Sequence, residues 1–193
     1  SLLLGNGDGT LRAQRSFAVS YVARESEVRR DPGHISAADL NGDGVTDLVA
    51  TNHSEGEVMV LLGKGDGTFQ EPWRKASGQG PGAVAIADLD GDGVLDLALA
   101  KARDPSWEVG VLLGVGDGTF QDEKTFPAGV ASTSVAAADF TGDGKPDLMT
   151  TDSIRQRVLL HEGRGDGTFQ DGQAVDLGDW NLPAWTLAAA DFD

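Results

Sequence analysis

Apolar residues recur along this chain in short runs rather than with a helical period. Ala-Val-Ala-Ile-Ala at 83–87 leads into a polar stretch. His-Ile-Ser-Ala-Ala at 34–38, Ser-Val-Ala-Ala-Ala at 134–138 and Thr-Leu-Ala-Ala-Ala at 186–190 do the same. Runs of this length bounded by Gly, Asp and Asn predict strands, and their small side chains suit strands packed where little room is left. A second strand follows the polar stretch, at 48–51 and 97–100, and polar residues such as 54–57 then turn the chain. The third strand is predicted at 58–62 and 109–113. Asp66-Gly67 and Asp117-Gly118 signal tight hairpins, with a fourth strand starting at Phe69 or Phe120. The predicted unit is a four-stranded antiparallel meander.

The polar stretch between the first two strands carries the chemistry. Asp39, Asn41, Asp43, Val45 and Asp47 occupy positions one, three, five, seven and nine of a loop. Asp88, Asp90, Asp92, Val94 and Asp96 repeat it, as do Asp139, Thr141, Asp143, Lys145 and Asp147. Asp191 and Asp193 begin a fourth copy. In a tightly coiled loop the side chains at one, three and five turn inward around one centre, and glycine at six (Gly44, Gly93, Gly144) permits the positive φ such a turn often needs. Position seven offers its backbone carbonyl, and the Asp at nine closes the cage. Oxygen donors without Cys or clustered His point to Ca²⁺ rather than zinc or copper. The Thr141 loop is expected to be the weakest site, with a hydroxyl where another loop has Asp90.

Two known calcium loops do not fit. An EF-hand requires Glu at position twelve, where this chain has Ala50, Leu99 and Thr150, and a strand rather than a helix follows. A calcium-binding β-helix would repeat every nine residues or so, and nothing here does. Asp and Gly are also the commonest turn residues. Three copies with an oxygen-bearing side chain at all four side-chain positions argue for more than ordinary turns.

The first Asp of the loop recurs at 39, 88, 139 and 191, in steps of 49, 51 and 52. A second motif keeps time with it: Gly-x-Gly-Asp-Gly-Thr at 5–10, 63–68, 114–119 and 163–168. The reading is one β region over 1–193, with a partial unit at 1–32, units at 33–80, 81–130 and 131–180, and the start of another at 181–193. The run 12–31, with Arg24, Arg29 and Arg30, makes the first boundary unusually long, and His161-Glu162 reads as a two-residue insertion before Gly163. One meander of this size cannot bury both faces, so units must stack. Four strands per unit with small residues on one of them predict an all-β, radially packed β-propeller, here an arc of about four blades or part-blades. A linear stack of sheets is the alternative.

Composition agrees with tight turns: 27 Gly and no Cys. The formal charge is −16, and 12 of the 31 acidic residues lie in the loops or the terminal stub. Such acidity excludes a footprint for nucleic acid or an anionic membrane, and no apolar run is long enough to span a bilayer. Both ends read as cut from a longer chain.

The motifs at 38–49 and 111–121 resemble the FG-GAP/VCBS repeat family and, more distantly, the calcium-bearing repeats of the integrin α-chain propeller. The resemblance implies a β-propeller, often of seven blades, with calcium in a hairpin loop. It places the ligands at Asp39, Asn41, Asp43 and Asp47 and their equivalents in the next two loops.

The expected function is a calcium-stabilised binding or adhesion module, secreted or at the cell surface, since a calcium-poor cytosol leaves sites of about 10⁻⁴ to 10⁻³ M affinity empty. Its partner would be an extracellular protein or glycan, and unpaired edges would favour self-association or contact with the rest of a parent chain. A lectin-like module is the alternative, with Trp73, Trp107, Trp180 and Trp185 as stacking platforms, although the four do not share one repeat position. A part in a polysaccharide-active enzyme is a third reading. Lys101, Lys124, His34, His53 and His161 stand without a nucleophile motif or metal-ligand spacing, so a non-catalytic role is expected, with the histidines at surfaces or strand ends. Arg164-Gly165-Asp166 spells an adhesion tripeptide, but Asn6, Lys64 and Val115 head the same turn elsewhere, so hairpin position explains it.

Overall fold

A computed structural model describes residues 5, 10–12, 32–78, 80–101, 107–176 and 186–189. The run 13–31, Trp180, Trp185, Asp191 and Asp193 lie outside the described residues. Within them are twelve strands and no helix, in three antiparallel sheets of four. The first sheet holds β1 (Pro32–Ala38), β2 (Asp47–Asn52), β3 (Glu57–Leu61) and β4 (Trp73–Ala76). The second holds β5 (Pro81–Ala87), β6 (Asp96–Lys101), β7 (Glu108–Leu112) and β8 (Lys124–Pro127). The third holds β9 (Val135–Ala138), β10 (Asp147–Asp152), β11 (Arg157–His161) and β12 (Gln173–Val175). Strand order follows chain order in each. Across sheets β1 meets β5 and β5 meets β9, so the Ala-rich first strands crowd together at the inner edge. The result is an unclosed arc of a β-propeller.

Alternation along each strand divides its side chains between two seams. Leu97, Leu99 and Leu112 of the second sheet face the first and meet Val49, Val58 and Val60. Ala98, Ala100, Val109, Val111 and Leu113 face the third and meet Val135, Leu148 and Phe169. Every residue of β6 is therefore buried. Each seam is also keyed at one end. A Cβ built at Gly118 would lie 2.6 Å from Leu62 of the preceding unit, and one at Gly167 would lie 2.7 Å from Leu113. In the third unit Glu162 stands in the place of these leucines and accepts a hydrogen bond from Gln170 Nε2 at 3.0 Å.

The outer part of the first seam is ionic. Lys75 Nζ donates to Gln121 O at 2.8 Å and to Asp122 Oδ1 at 2.9 Å. Ser77 Oγ donates to Glu123 Oε1 at 2.9 Å, and the same oxygen pairs with buried Lys101 Nζ at 3.0 Å. Gly110 leaves the room that this carboxylate fills, since a Cβ there would collide with Glu123 Oε1. The second seam is aromatic at the same radius, with Phe126 stacked on Phe169 at 5.2 Å and edge-on to His161 at 5.5 Å.

The structure corrects three expectations. His161-Glu162 is not an insertion: His161 pairs with Leu148 as Leu61 pairs with Leu48 and Leu112 with Leu97. The two extra residues fall instead between β6 and β7, which six residues separate where four separate β2 from β3 and β10 from β11. His161 does end a strand, but it is fully buried rather than at the surface. Phe69, Phe120 and Phe169 do not open the fourth strand. Each makes a single bridge to Gly63, Gly114 or Gly163, and β4, β8 and β12 begin four residues later. Two of the rings fill the seams instead of continuing the ladder: Phe120 lies in the first and Phe169 in the second, each 6% exposed.

The keyed seam can be separated from simple turn strain. Gly116 and Gly118 have φ of 88° and 84° in one hairpin, but only Gly118 meets a leucine; the nearest neighbour of a Cβ at Gly116 is Val94, 3.6 Å away. Gly116→Ala is expected to cost about 1–2 kcal/mol of stability through its left-handed backbone. Gly118→Ala should lose about 1–3 kcal/mol more through overpacking. Equal losses in urea unfolding would show that Leu62 yields freely.

The buried imidazole gives a second test. Gln170 O can only accept, so His161 Nδ1 carries the hydrogen at 3.3 Å and Nε2 accepts from Thr150 Oγ1 at 3.0 Å. Burial holds the His161 pKa below its ordinary 6.5, against the raising effects of the Gln170 carbonyl and Asp171. The folded state resists the proton, so this contribution to stability is complete above about 6.5 and is lost as pH falls below it. Relative to the native chain, His161→Leu should therefore gain stability steadily as pH is lowered from 6.5. Melting curves of the two proteins that stay parallel over that range would refute this.

Candidate metal centre

Three loops connect the first and second strands of the three sheets, and the middle one is the most acidic. Asp88 curls the chain over itself: its Oδ1 accepts from Gly91 N at 2.8 Å and its Oδ2 from Gly93 N at 2.9 Å. Gly93 takes φ of 87°, which an L side chain rarely adopts, and this bend returns the chain toward β6. Asp92 Oδ1 accepts from Val94 N at 2.8 Å, fixing position seven. The fold brings one carboxylate oxygen each from Asp88, Asp90 and Asp96 within 4.8 Å of one another.

The outer loops follow the same path. Asp39 Oδ1 accepts from Asp43 N at 3.2 Å and its Oδ2 from Gly44 N at 2.8 Å, and Asp43 Oδ1 accepts from Val45 N at 2.8 Å. Asn41 Oδ1 accepts from Asp43 N at 3.1 Å. In the third loop Asp139 accepts from Gly142, Asp143 and Gly144, and Asp143 Oδ1 from Lys145 N. These backbone donors, Gly144 foremost, hold the Asp139 carboxyl below the usual carboxylate range. Thr141 N donates to Asp147 Oδ2 at 3.0 Å.

The ninth-position Asp has a role beyond closing the loop. Asp47, Asp96 and Asp147 are at most 1% exposed. Oδ2 of each accepts from the residue after the first loop Asp, namely Leu40, Leu89 or Phe140, at 2.9, 2.7 and 3.0 Å. Oδ1 of each accepts from the first hairpin glycine, Gly63, Gly114 or Gly163, at 2.7, 2.7 and 2.8 Å. The sequence reading missed this link, although the two motifs recurring in register were its trace. Burial pushes the Asp96 carboxyl up to about 6, against its two backbone donors and with Asp90 and Asp92 adding to the rise. The crowded oxygens of Asp88, Asp90 and Asp96 fit a hard divalent cation.

The remaining sequence candidates lie elsewhere. Trp73 is half-buried in the first seam, its ring 5.6 Å from Phe120, so it is a seam residue rather than an open stacking platform. Lys101 is engaged with Glu123. The Asp of each hairpin, Asp66, Asp117 or Asp166, accepts from the backbone N–H of Thr68, Thr119 or Thr168 and shapes the turn.

Two overlapping stretches, residues 39–99 and 88–150, match the FG-GAP-like repeat. No curated protein matches the chain. Among solved structures the chain is similar to a lectin of Agrocybe aegerita, described for specific recognition of non-reducing terminal N-acetylglucosamine, at 26% identity and a TM-score of 0.49. That similarity covers 73% of this chain and 37% of the lectin chain, so the chain spans well under half that protein's length.

The geometry separates two kinds of Asp within one loop. Asp92 is exposed, whereas removing Asp96 strands the buried N–H groups of Leu89 and Gly114. In EDTA, Asp92→Ala should leave stability nearly unchanged, while Asp96→Ala should lose about 2–5 kcal/mol from two unsatisfied donors. Similar stabilities of the two variants in chemical denaturation would refute the dual role of position nine.

Proposed function

Because the chain belongs to the FG-GAP-like repeat family, we propose that it is a calcium-stabilised, non-catalytic binding module working outside the cell. The observation that carries this reading is the convergence of the Asp88, Asp90 and Asp96 carboxylates. Side chains of Asp39, Asn41, Asp43 and Asp47, of Asp88, Asp90, Asp92 and Asp96, and of Asp139, Thr141, Asp143 and Asp147 would hold one Ca²⁺ per loop. The carbonyls of Val45, Val94 and Lys145 would complete each set, and Asp191 and Asp193 would start a fourth. The ion would supply charge neutralisation, not reaction chemistry. With its Asp-rich loops tied by buried Asp to the hairpins, an ion at one end would brace both turns of a unit.

Extracellular placement follows from the need for abundant calcium, as weak oxygen sites of this type fill only where calcium is near millimolar. The partner is an extracellular protein or a glycan, presented with a rigid arc rather than a catalytic pocket. Among the described residues the first and third sheets each pack on one neighbouring sheet, and association with the rest of a parent chain or with a second copy would complete their packing.

Thermal unfolding tests the reading. Millimolar Ca²⁺ should raise the melting temperature above that in EDTA by about 3–6 °C for each site held at tenfold excess over its Kd, and Mg²⁺ should do far less. Asp92→Ala should shrink the rise. A melting temperature indifferent to calcium would leave the loops as turns and remove the support for extracellular placement with them.

A further inference from the structure

The three loops differ in what already balances their charge. The second has Asp at positions one, three, five and nine and Val94 at seven, so it holds four carboxylates and no side-chain donor. In the first, Asn41 replaces one carboxylate, and its Nδ2 donates to Asp43 Oδ2 at 3.0 Å. In the third, Thr141 replaces it, and the Lys145 ammonium lies 3.6 Å from Asp143 Oδ2. Lys145 is placed by the loop itself. Its stem lies over Gly165, Cδ 3.2 Å from a Cβ built there, where Val45 covers Gly65 and Val94 covers Gly116. One loop thus carries its own cation, one carries an amide, and the middle one carries neither.

We propose, resting on the calcium reading above, that the loops load in a fixed order, the second first and the third last, and that Lys145 is a tethered cation that keeps the third loop closed when calcium is scarce. Ligand charge sets the affinity of oxygen sites for Ca²⁺, which favours four carboxylates over three. An ammonium a few ångströms from a divalent ion opposes its binding, by on the order of tenfold after screening. The same ammonium relieves repulsion among the carboxylates when no ion is bound. Dependence on calcium is therefore concentrated in the middle unit, the one whose sheet forms both seams. Withdrawal of calcium would loosen the arc at its centre while the third loop keeps its shape.

Amide resonances of Gly44, Gly93 and Gly144 report each loop separately, because each N–H donates to Oδ2 of the first-position Asp. In a Ca²⁺ titration of the 193-residue chain followed by nitrogen-15 NMR, Gly93 should shift at the lowest calcium and Gly144 at the highest. Lys145→Val, which installs the residue of the other two loops, should lower the Gly144 midpoint on the order of tenfold and leave that of Gly93 in place. Lys145→Gln, which keeps the stem polar and removes the charge, should do the same. Three glycines sharing one midpoint, or a Gly144 midpoint unmoved in both variants, would overturn the loading order while leaving the calcium reading standing. No shift of any glycine up to about 10 mM Ca²⁺ would overturn the calcium reading and the order with it.

Discussion

The structure depends on a buried carboxylate that two separate turns must reach. Asp47, Asp96 and Asp147 sit at the start of the second strand of each sheet and accept backbone N–H groups from the acidic loop, two of them at Asp147, and one from the hairpin 16 or 18 residues on. A carboxylate removed from water is costly unless its oxygens are bound, so both turns are held to it. The hairpin glycine has to come close: a Cβ at Gly63, Gly114 or Gly163 would collide with the backbone just before the Asp. This is why the two motifs travel together through the sequence. Each is half of one joint.

The division of the chain into four-stranded units was legible because its signals are local. Short apolar runs, Asp-Gly pairs and a loop with alternating oxygen donors all act within about ten residues, and the sheets formed where these signals lie. What escaped the sequence reading depends on partners in another unit. Phe120 looks like the first residue of a strand until its ring is seen filling the seam beside Trp73. His161-Glu162 reads as an insertion when only the residues before Gly163 are compared with the other copies, yet register shows His161 in the place of Leu61 and Leu112. The convergence of Asp88, Asp90 and Asp96 was readable from spacing, whereas the hydrogen bond that Gly114 N donates to Asp96 crosses the sheet and leaves no pattern beyond the shared period.

The two seams show that a repeated backbone does not require repeated chemistry. At the outer radius one seam uses two ammoniums, two carboxylates and a hydroxyl, and the other uses two phenyl rings and an imidazole. The shared part is the inner half, where alanine, valine and leucine alternate between faces. Specific unit-to-unit matching therefore resides at the periphery: Phe126 holds in the second unit the position of Lys75 in the first and meets rings instead of Asp122, and the third unit in the place of the first would offer Val175 to Asp122.

Lys101, Gly110 and Glu123 also constrain how this sequence can change over time. Where the second unit has Gly110 and Glu123, the first has Met59 and Pro72 and the third has Leu159 and Gly172. A side chain cannot be placed at 110 while the Glu123 carboxylate fills its space. Losing Glu123 first would leave the Lys101 ammonium buried without its counterion. Neither single step is mild, so the three positions form an epistatic set whose members must drift together. The middle unit is thereby isolated from its neighbours on the mutational landscape, although all three share one repeated pattern.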